Sequence, residues 1–349
     1  MKSSLFLFMV VFSLTLSAQD TVKVAALTDP NLQAEQDYNS GLAALNKKEY
    51  TAAVDFFTKC INVKSTFDKA FSNRAIAYVQ LKNSEAAIGD INTALKLNSA
   101  NADNYFNKAL IYYAFNKKDS TISSLDQCLK IKANHQEANY YKGLILFEEA
   151  DYKEAIIYYT KAIEANPNYV FAINDRAAAK RELKDYSGAI EDYKKAISID
   201  DKQFFIYNNL GSTYRLNKDY PKAIEAYSKA LQIKPDYLIA LNNRGAANFD
   251  NNNLKAANAD FEAVLSKDPK NSGAYNNLAS IALKNKDYKK AKDLTTKAID
   301  IDAKNGAAFY NRGIAKQMLR EEEGCCADWK KALELGVTGA KLFINSTCN

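Results

Sequence analysis

The sequence is short of histidine, and that scarcity removes most catalytic chemistry before any motif is sought. Its one imidazole, His135, falls between two helical stretches, where an exposed polar residue is expected. With no second histidine there is no Ser-His-Asp set and no histidine-rich metal site to assemble. The 12 glycines form no phosphate-cradling loop, and the five cysteines never take the paired spacing of a zinc site, Cys325 and Cys326 being merely adjacent. No stretch is left over for a separate catalytic domain. The reading is therefore of a protein that is not an enzyme and has no metal or cofactor. Long runs of one charge are also missing. The net charge of +6 arises from lysines interspersed with Glu and Asp, a solvated surface rather than a nucleic-acid footprint.

Long apolar runs are absent except at the start. Leu5 to Leu16 follows Lys2 and precedes the small residues Ser17-Ala18, the pattern of a secretory signal peptide over residues 1–18. The run is too short to span a bilayer comfortably, so no transmembrane segment is expected in the mature chain. No cysteine follows the cleavage site, so a lipoprotein anchor is not indicated. The expected location is the periplasm or the outside of the cell. Residues 19–33 form a lead-in in which Asp29-Pro30 suits the cap and first turn of a helix.

From Ala34 onward one pattern repeats. Its most complete copy is Phe204 to Tyr237, with Tyr207, Leu210, Gly211 and Tyr214 followed by Ala223, Tyr227 and Pro235. Apolar and small residues recur every three or four positions over roughly 204–217 and 221–233, which predicts two amphipathic helices. Between them, Asn217 suits the left-handed backbone that ends a helix, and Pro221 suits the first turn of the next. Gly211 and Ala223 are small where the helices should touch most closely. Copies begin at Ala34, Asp68, Ala102, Gln136, Val170, Phe204, Leu238, Ser272 and Gly306, so nine 34-residue units fill 34–339 without an insertion. One such hairpin cannot bury both its faces and must stack on its copies.

This motif at this period resembles the tetratricopeptide repeat. The resemblance implies an all-α, right-handed superhelical solenoid of stacked helix-turn-helix hairpins. Residues 340–349 would supply a C-terminal capping helix after Gly336 and Gly339. It further implies a scaffold that binds a protein or an extended peptide in the concave groove lined by the first helices. The closing stretch, Cys326 to Ala332 with Trp329 and a late Cys348, looks like the last repeat of secreted bacterial members. The alternative is a structural or assembly component of an envelope or secretion complex, held by its outer surface. The oligomeric state stays open.

Three sets of residues carry more specific expectations. Arg74, Arg176, Arg244 and Arg312 share the seventh position of their units, and Asp90, Asp192, Asp260 and Asp328 share the twenty-third of the same four units. They are expected to pair across each hairpin. Asn39, Asn73, Asn107, Asn209, Asn243, Asn277 and Asn311 share the sixth position, interrupted only by Tyr141 and Asp175. Along a groove they could bond a peptide backbone, or simply solvate it. Arg181 and Arg215 at the twelfth position, with Phe171 and Phe205 at the second, would favour acidic or aromatic segments. The carboxylate clamp of some family members needs a lysine where Tyr38 and Leu42 stand, which argues against that ligand. Cys348 should end the capping helix near the start of the helix that carries Cys326, so a Cys326–Cys348 disulfide is expected, with Cys325 the alternative. Cys60 and Cys128, two units apart, are too distant to pair and are read as small core residues.

Overall fold

The computed structural model describes residues 30–348, so the expected signal peptide and the lead-in as far as Asp29 lie outside the described residues. Nineteen α-helices follow one another, with no strand among the described residues. The described residues fall into two compact blocks, 30–167 and 168–348. The N-terminal block holds α1 (Pro30–Asn46), α2 (Tyr50–Val63), α3 (Asp68–Gln80), α4 (Ser84–Leu97), α5 (Ala102–Ala114), α6 (Lys118–Ile131), α7 (Gln136–Glu148) and α8 (Tyr152–Ala165). The C-terminal block holds α9 (Val170–Glu182), α10 (Tyr186–Ile199), α11 (Phe204–Leu216), α12 (Tyr220–Ile233), α13 (Leu238–Asp250) and α14 (Leu254–Lys267). It continues with α15 (Ser272–Lys284), α16 (Tyr288–Ile301), α17 (Gly306–Met318), α18 (Glu322–Glu334) and α19 (Ala340–Thr347). Odd and even neighbours pack as hairpins, and within each block the even helix of one hairpin also packs on the odd helix of the next. None of these helices is long and apolar enough to cross a membrane.

Each hairpin turns through a single left-handed residue. Lys48, Lys82, Asn116, Ala150, Lys184, Lys218, Asn252, Lys286 and Arg320 have φ between 55° and 64°. In the 204–237 copy this corrects the expectation for Asn217, whose φ is −78°. Asn217 still closes a helical bond to the Thr213 carbonyl, and the reversal falls on Lys218, after which the Asp219 N–H returns to the Tyr214 carbonyl. The next side chain then starts the second helix: Asn83, Asp151, Asp185, Asp219, Asn253 and Asp287 each accept a backbone N–H three residues on.

The hairpins close around one buried side chain of the even helix. Phe57, Ile91, Leu125, Tyr159, Tyr193, Tyr227, Phe261, Thr295 and Trp329 occupy the twenty-fourth position, and each is at most 1% exposed. Opposite them lies the small residue of the odd helix. A methyl group added at Gly211 would come within 2.8 Å of the Tyr227 ring, and one at Gly313 within 2.4 Å of Trp329. Gly41, Gly143 and Gly245 stand against Phe57, Tyr159 and Phe261 in the same way. Where the buried residue is Ile91, Leu125 or Thr295, the opposing residue is alanine, and Ala177 opposite Tyr193 is the exception. The glycine thus makes room for this ring, not for the alanine at Ala223, which is itself fully buried.

The end of the chain is built differently. Gly336 takes φ +89°, which a residue with a side chain rarely adopts, and turns α18 toward α19. Phe343 of α19 lies 4.9 Å from Trp329 and 5.6 Å from Tyr310 between ring centres. A disulfide joins Cys326 to Cys348, while Cys60, Cys128 and Cys325 are free and buried. Burial pushes the Cys128 thiol up to about 12.

Two outcomes follow from this packing. Gly211→Ala should destabilise the chain by about 1–3 kcal/mol through overpacking, and adding Tyr227→Leu should recover part of that loss, as urea unfolding would register. Cys348→Ser should raise hydrogen exchange across 340–347 well before the rest of the C-terminal block responds. The crosslink is worth roughly 3 kcal/mol for a loop of this length in the chain-entropy picture.

Candidate functional site

The conspicuous charged groups of the sequence are engaged inside the stack. Arg74 Nε and Nη2 donate to the two carboxylate oxygens of Asp90 at 2.7 and 2.8 Å. Arg176 bonds Asp192 at 2.8 and 2.7 Å, and Arg312 bonds Asp328 at 2.9 and 2.7 Å. Arg244 reaches Asp260 as closely as 2.6 Å. All four aspartates are buried, which makes bidentate pairing the condition for keeping their charge. Lys180 and Lys316 add a second cation at 2.8 Å to Asp192 and Asp328. Arg74 and Arg244 also donate backward, to Thr58 on α2 and Ser228 on α12, so each ties its own hairpin to the preceding one. In repeats six and eight the same two positions carry Leu210 with Ala226 and Leu278 with Leu294, an apolar substitute for the ion pair.

The asparagines form a ladder along successive odd helices. Asn209 donates to Asn174 at 3.2 Å, Asn243 to Asn208 at 3.0 Å, Asn277 to Asn242 at 2.9 Å and Asn311 to Asn276 at 2.9 Å. In the N-terminal block Asn73 donates to the Tyr38 hydroxyl and Asn107 to that of Ser72, both at 2.9 Å. Asn39, on the first odd helix, is exposed. Each bond links residues 35 apart, one unit plus one residue. Where Tyr141 interrupts the series, its ring meets Phe106 edge-on at 5.7 Å. One amide N–H at Asn209, Asn243 and Asn277 is therefore used to hold neighbouring odd helices in register, and Asn311 donates twice, to Asn276 and to the Ser280 hydroxyl at 3.1 Å. An amide has a second N–H and a carbonyl oxygen, and each donating asparagine is only partly buried.

Phe171 and Phe205 stack with ring centres 6.2 Å apart and planes 6° from parallel. Arg215 pairs with Asp250 at 2.7 Å, and Arg181 with Glu182 at 3.1 Å, so both carry carboxylate partners and are not simply solvated. All these groups lie on odd helices of the C-terminal block.

His135 departs from expectation. It is buried, not exposed, because the residue before a helix is recruited as its cap. Its Nδ1 accepts the Ala138 N–H at the start of α7, its Nε2 lies 3.1 Å from Asp103, and its ring sits 4.9 Å from Phe106. The two bonds together place the proton on Nε2. The hydrogen bond from His135 holds the Asp103 carboxyl below the usual range. Sequence reading missed this residue, although its place just before the helix at 136 was the signal. Among the described residues, no three His, Cys, Asp or Glu side chains converge as a metal site would require.

Comparison with known proteins gives a consistent family. The tetratricopeptide repeat matches residues 38–67, 102–135, 136–169, 204–237 and 248–311, and the TPR repeat matches 177–217, together more than half of the chain. No curated protein matches the sequence. Among solved structures, a tetratricopeptide repeat protein from Parabacteroides merdae is 18% identical with a TM-score of 0.62, covering 71% of this chain and 99% of that one. PilW, a type IV pilus biogenesis factor, is 20% identical with a TM-score of 0.52, covering 58% and 94%. PilF of Pseudomonas aeruginosa is 16% identical with a TM-score of 0.51, covering 58% and 92%. At these identities the likeness is one of fold.

The natural replacement of the ion pair by Leu and Ala sets up a direct test. Asp90→Ala alone should cost about 3 kcal/mol, because it strands Arg74. Arg74→Leu with Asp90→Ala, the pair found at 210 and 226, should unfold within ~1 kcal/mol of the parent. A double variant as unstable as the single one would contradict the internal role.

Proposed function

This chain belongs to the tetratricopeptide repeat family, and from that premise we propose that it is an exported, non-enzymatic scaffold holding an extended polypeptide along the odd helices of its C-terminal block. A role in protein–protein interaction is what the family's fold provides. The finer reading rests on one observation, the regular amide ladder from Asn174 to Asn311. A row of part-exposed amides repeats a carbonyl oxygen at every rung and, at Asn209, Asn243 and Asn277, a second N–H that the ladder bonds do not use, and a peptide backbone offers the complementary series without demanding a side chain. The stacked Phe171 and Phe205 give an apolar contact at one end, and Arg181 and Arg215 give cations further along the same helices. Acidic or aromatic segments suit that combination. Export is supported by the apolar run after Lys2 and by the Cys326–Cys348 bond.

The internal use of an N–H at every rung favours a second reading, in which the ladder only fixes register and the protein is a component of an envelope or secretion assembly gripped on its even helices. PilW, of similar fold, is a pilus biogenesis factor. One experiment separates the two. Peptides selected from a displayed library against the full chain should lose binding to an Asn209→Ala/Asn243→Ala/Asn277→Ala variant whose circular dichroism and melting show it folded. With about 0.5–1.5 kcal/mol per hydrogen bond, single changes should be nearly silent and the triple should weaken binding by about tenfold or more. Undiminished binding by the folded triple variant assigns the peptide elsewhere.

A further inference from the structure

Nine copies of one unit provide their own control for which residues the fold requires. At the twenty-first position the first six repeats carry valine or isoleucine, from Val54 to Ile224, so a stable even helix takes an apolar residue there. Repeat seven has Asn258 instead, and it is partly buried, which costs an amide free energy that isoleucine would not lose. Asn258 lines a cleft of about 340 Å³ between the turns of repeats seven and eight, with Leu254 and Lys255 of α14, Ile281 of α15 and Asn285 just beyond it. That volume falls at the lower end of the range for small-ligand sites. The cleft lies at the turn edge of the stack, away from the amide ladder. Its counterpart between repeats one and two, about 430 Å³, has Glu49 next to Lys48, with Tyr50, Thr51, Ala52 and Leu81, and no carboxamide.

The cleft of repeats seven and eight also stands in the most cationic turn of the chain. Residues 284–290 hold Lys284, Lys286, Lys289 and Lys290, all exposed, against the single Asp287. No other turn carries more than two lysines over the same positions. Asp287 faces its own helix, accepting the Lys290 N–H at 3.1 Å as the cap of α16. Lys284 reaches the preceding hairpin, its ammonium 4.8 Å from the centre of the Phe249 ring. No carboxylate lines the cleft. Among the described residues the side chains of Lys255, Asn258 and Asn285 take no hydrogen bond or ion pair.

A carboxamide presents donors and an acceptor side by side, which a hydroxyl group can match on both counts, whereas a carboxylate or phosphate calls for donors alone. Lysine supplies a point charge, while planar, bidentate recognition of phosphate favours arginine, which the lining lacks. The lining has no aromatic face for a base to stack on either. Leu254 and Ile281 give it an apolar floor for the C–H face of a saturated ring. We propose that this cleft binds an acidic sugar, a hydroxylated ring bearing a carboxylate, as one residue of a polyanionic glycan that runs along the lysines of 284–290. The site is independent of the amide ladder and of any polypeptide held there.

The probe is a short oligogalacturonate titrated into the full chain. Two controls accompany it: its methyl ester, which keeps hydroxyls and loses the charge, and a polyglutamate peptide of equal charge, which has no hydroxyls. The oligogalacturonate should bind, and both controls should bind about tenfold or more weakly. Asn258→Ile/Asn285→Leu, which installs residues that repeats two and five carry at those positions, should weaken binding about tenfold or more while melting no lower than the parent. Lys286→Asn/Lys289→Ser, also residues of other repeats, should weaken it about threefold or more and flatten its salt dependence. The asparagine triple variant of the ladder should bind as the parent does. No binding of the oligogalacturonate, equal binding of the methyl ester, or full binding by the folded carboxamide variant overturns the proposal. Polyglutamate bound as tightly as the glycan overturns it in favour of an acidic peptide. If the carboxamide variant fails to fold, the lysine variant decides, and full binding by that variant overturns the proposal as well.

Discussion

The contact on which the stack depends is made between the small residue of each odd helix and the buried side chain of its partner sixteen positions on. Where glycine stands at Gly41, Gly143, Gly211, Gly245 and Gly313, an aromatic ring fills the space a methyl group would need. Where alanine stands, the opposing residue is shorter, except at Tyr193. This complementarity sets how closely the two helices approach, and that distance decides what else can meet across them. Arg244 and Asp260 lie one residue earlier on the same two helices, near enough for a bidentate pair with a buried carboxylate. Once the hairpin is fixed, Arg244 reaches back to Ser228, and the amides of neighbouring odd helices meet at a separation of 35 residues.

The fold was legible because its determinants are local and repeated. A period of 34 residues, small residues in register and turn residues at fixed places specify a hairpin nine times over, so noise in any one copy does not matter. The left-handed position was misplaced by one residue because side-chain preference pointed to asparagine. The backbone bonds that close the helix put the reversal on whatever follows it, usually lysine here. His135 was misread for a related reason: loops between repeats look like surface, but the residue that caps the next helix is pressed onto the previous hairpin.

The candidate site was less legible than the fold. The co-occurrence of Arg74 with Asp90 and its three counterparts is visible in sequence because a buried charge cannot be retained singly. The asparagines gave the opposite impression. Their shared position suggested a surface turned wholly outward, whereas each donating amide also links one odd helix to the one before it. Partners 35 residues away follow no helical periodicity, and the acceptors vary from a tyrosine hydroxyl at Tyr38 to an amide at Asn208. The burial of the Cys60 and Cys128 thiols at alanine-like positions, by contrast, follows from the same register that places the helices.

In the proposed reading, register and recognition draw on the same amides, and a bound polypeptide would extend a hydrogen-bond series that the stack begins. That idea predicts where a ligand leaves its mark. Hydrogen–deuterium exchange on the full chain, with and without a peptide selected to bind it, measures this directly. Slowed exchange confined to the odd helices at 204–216, 238–250 and 272–284 is the predicted result. Protection on the even helices at 220–233, 254–267 and 288–301, with the odd helices unchanged, would contradict it.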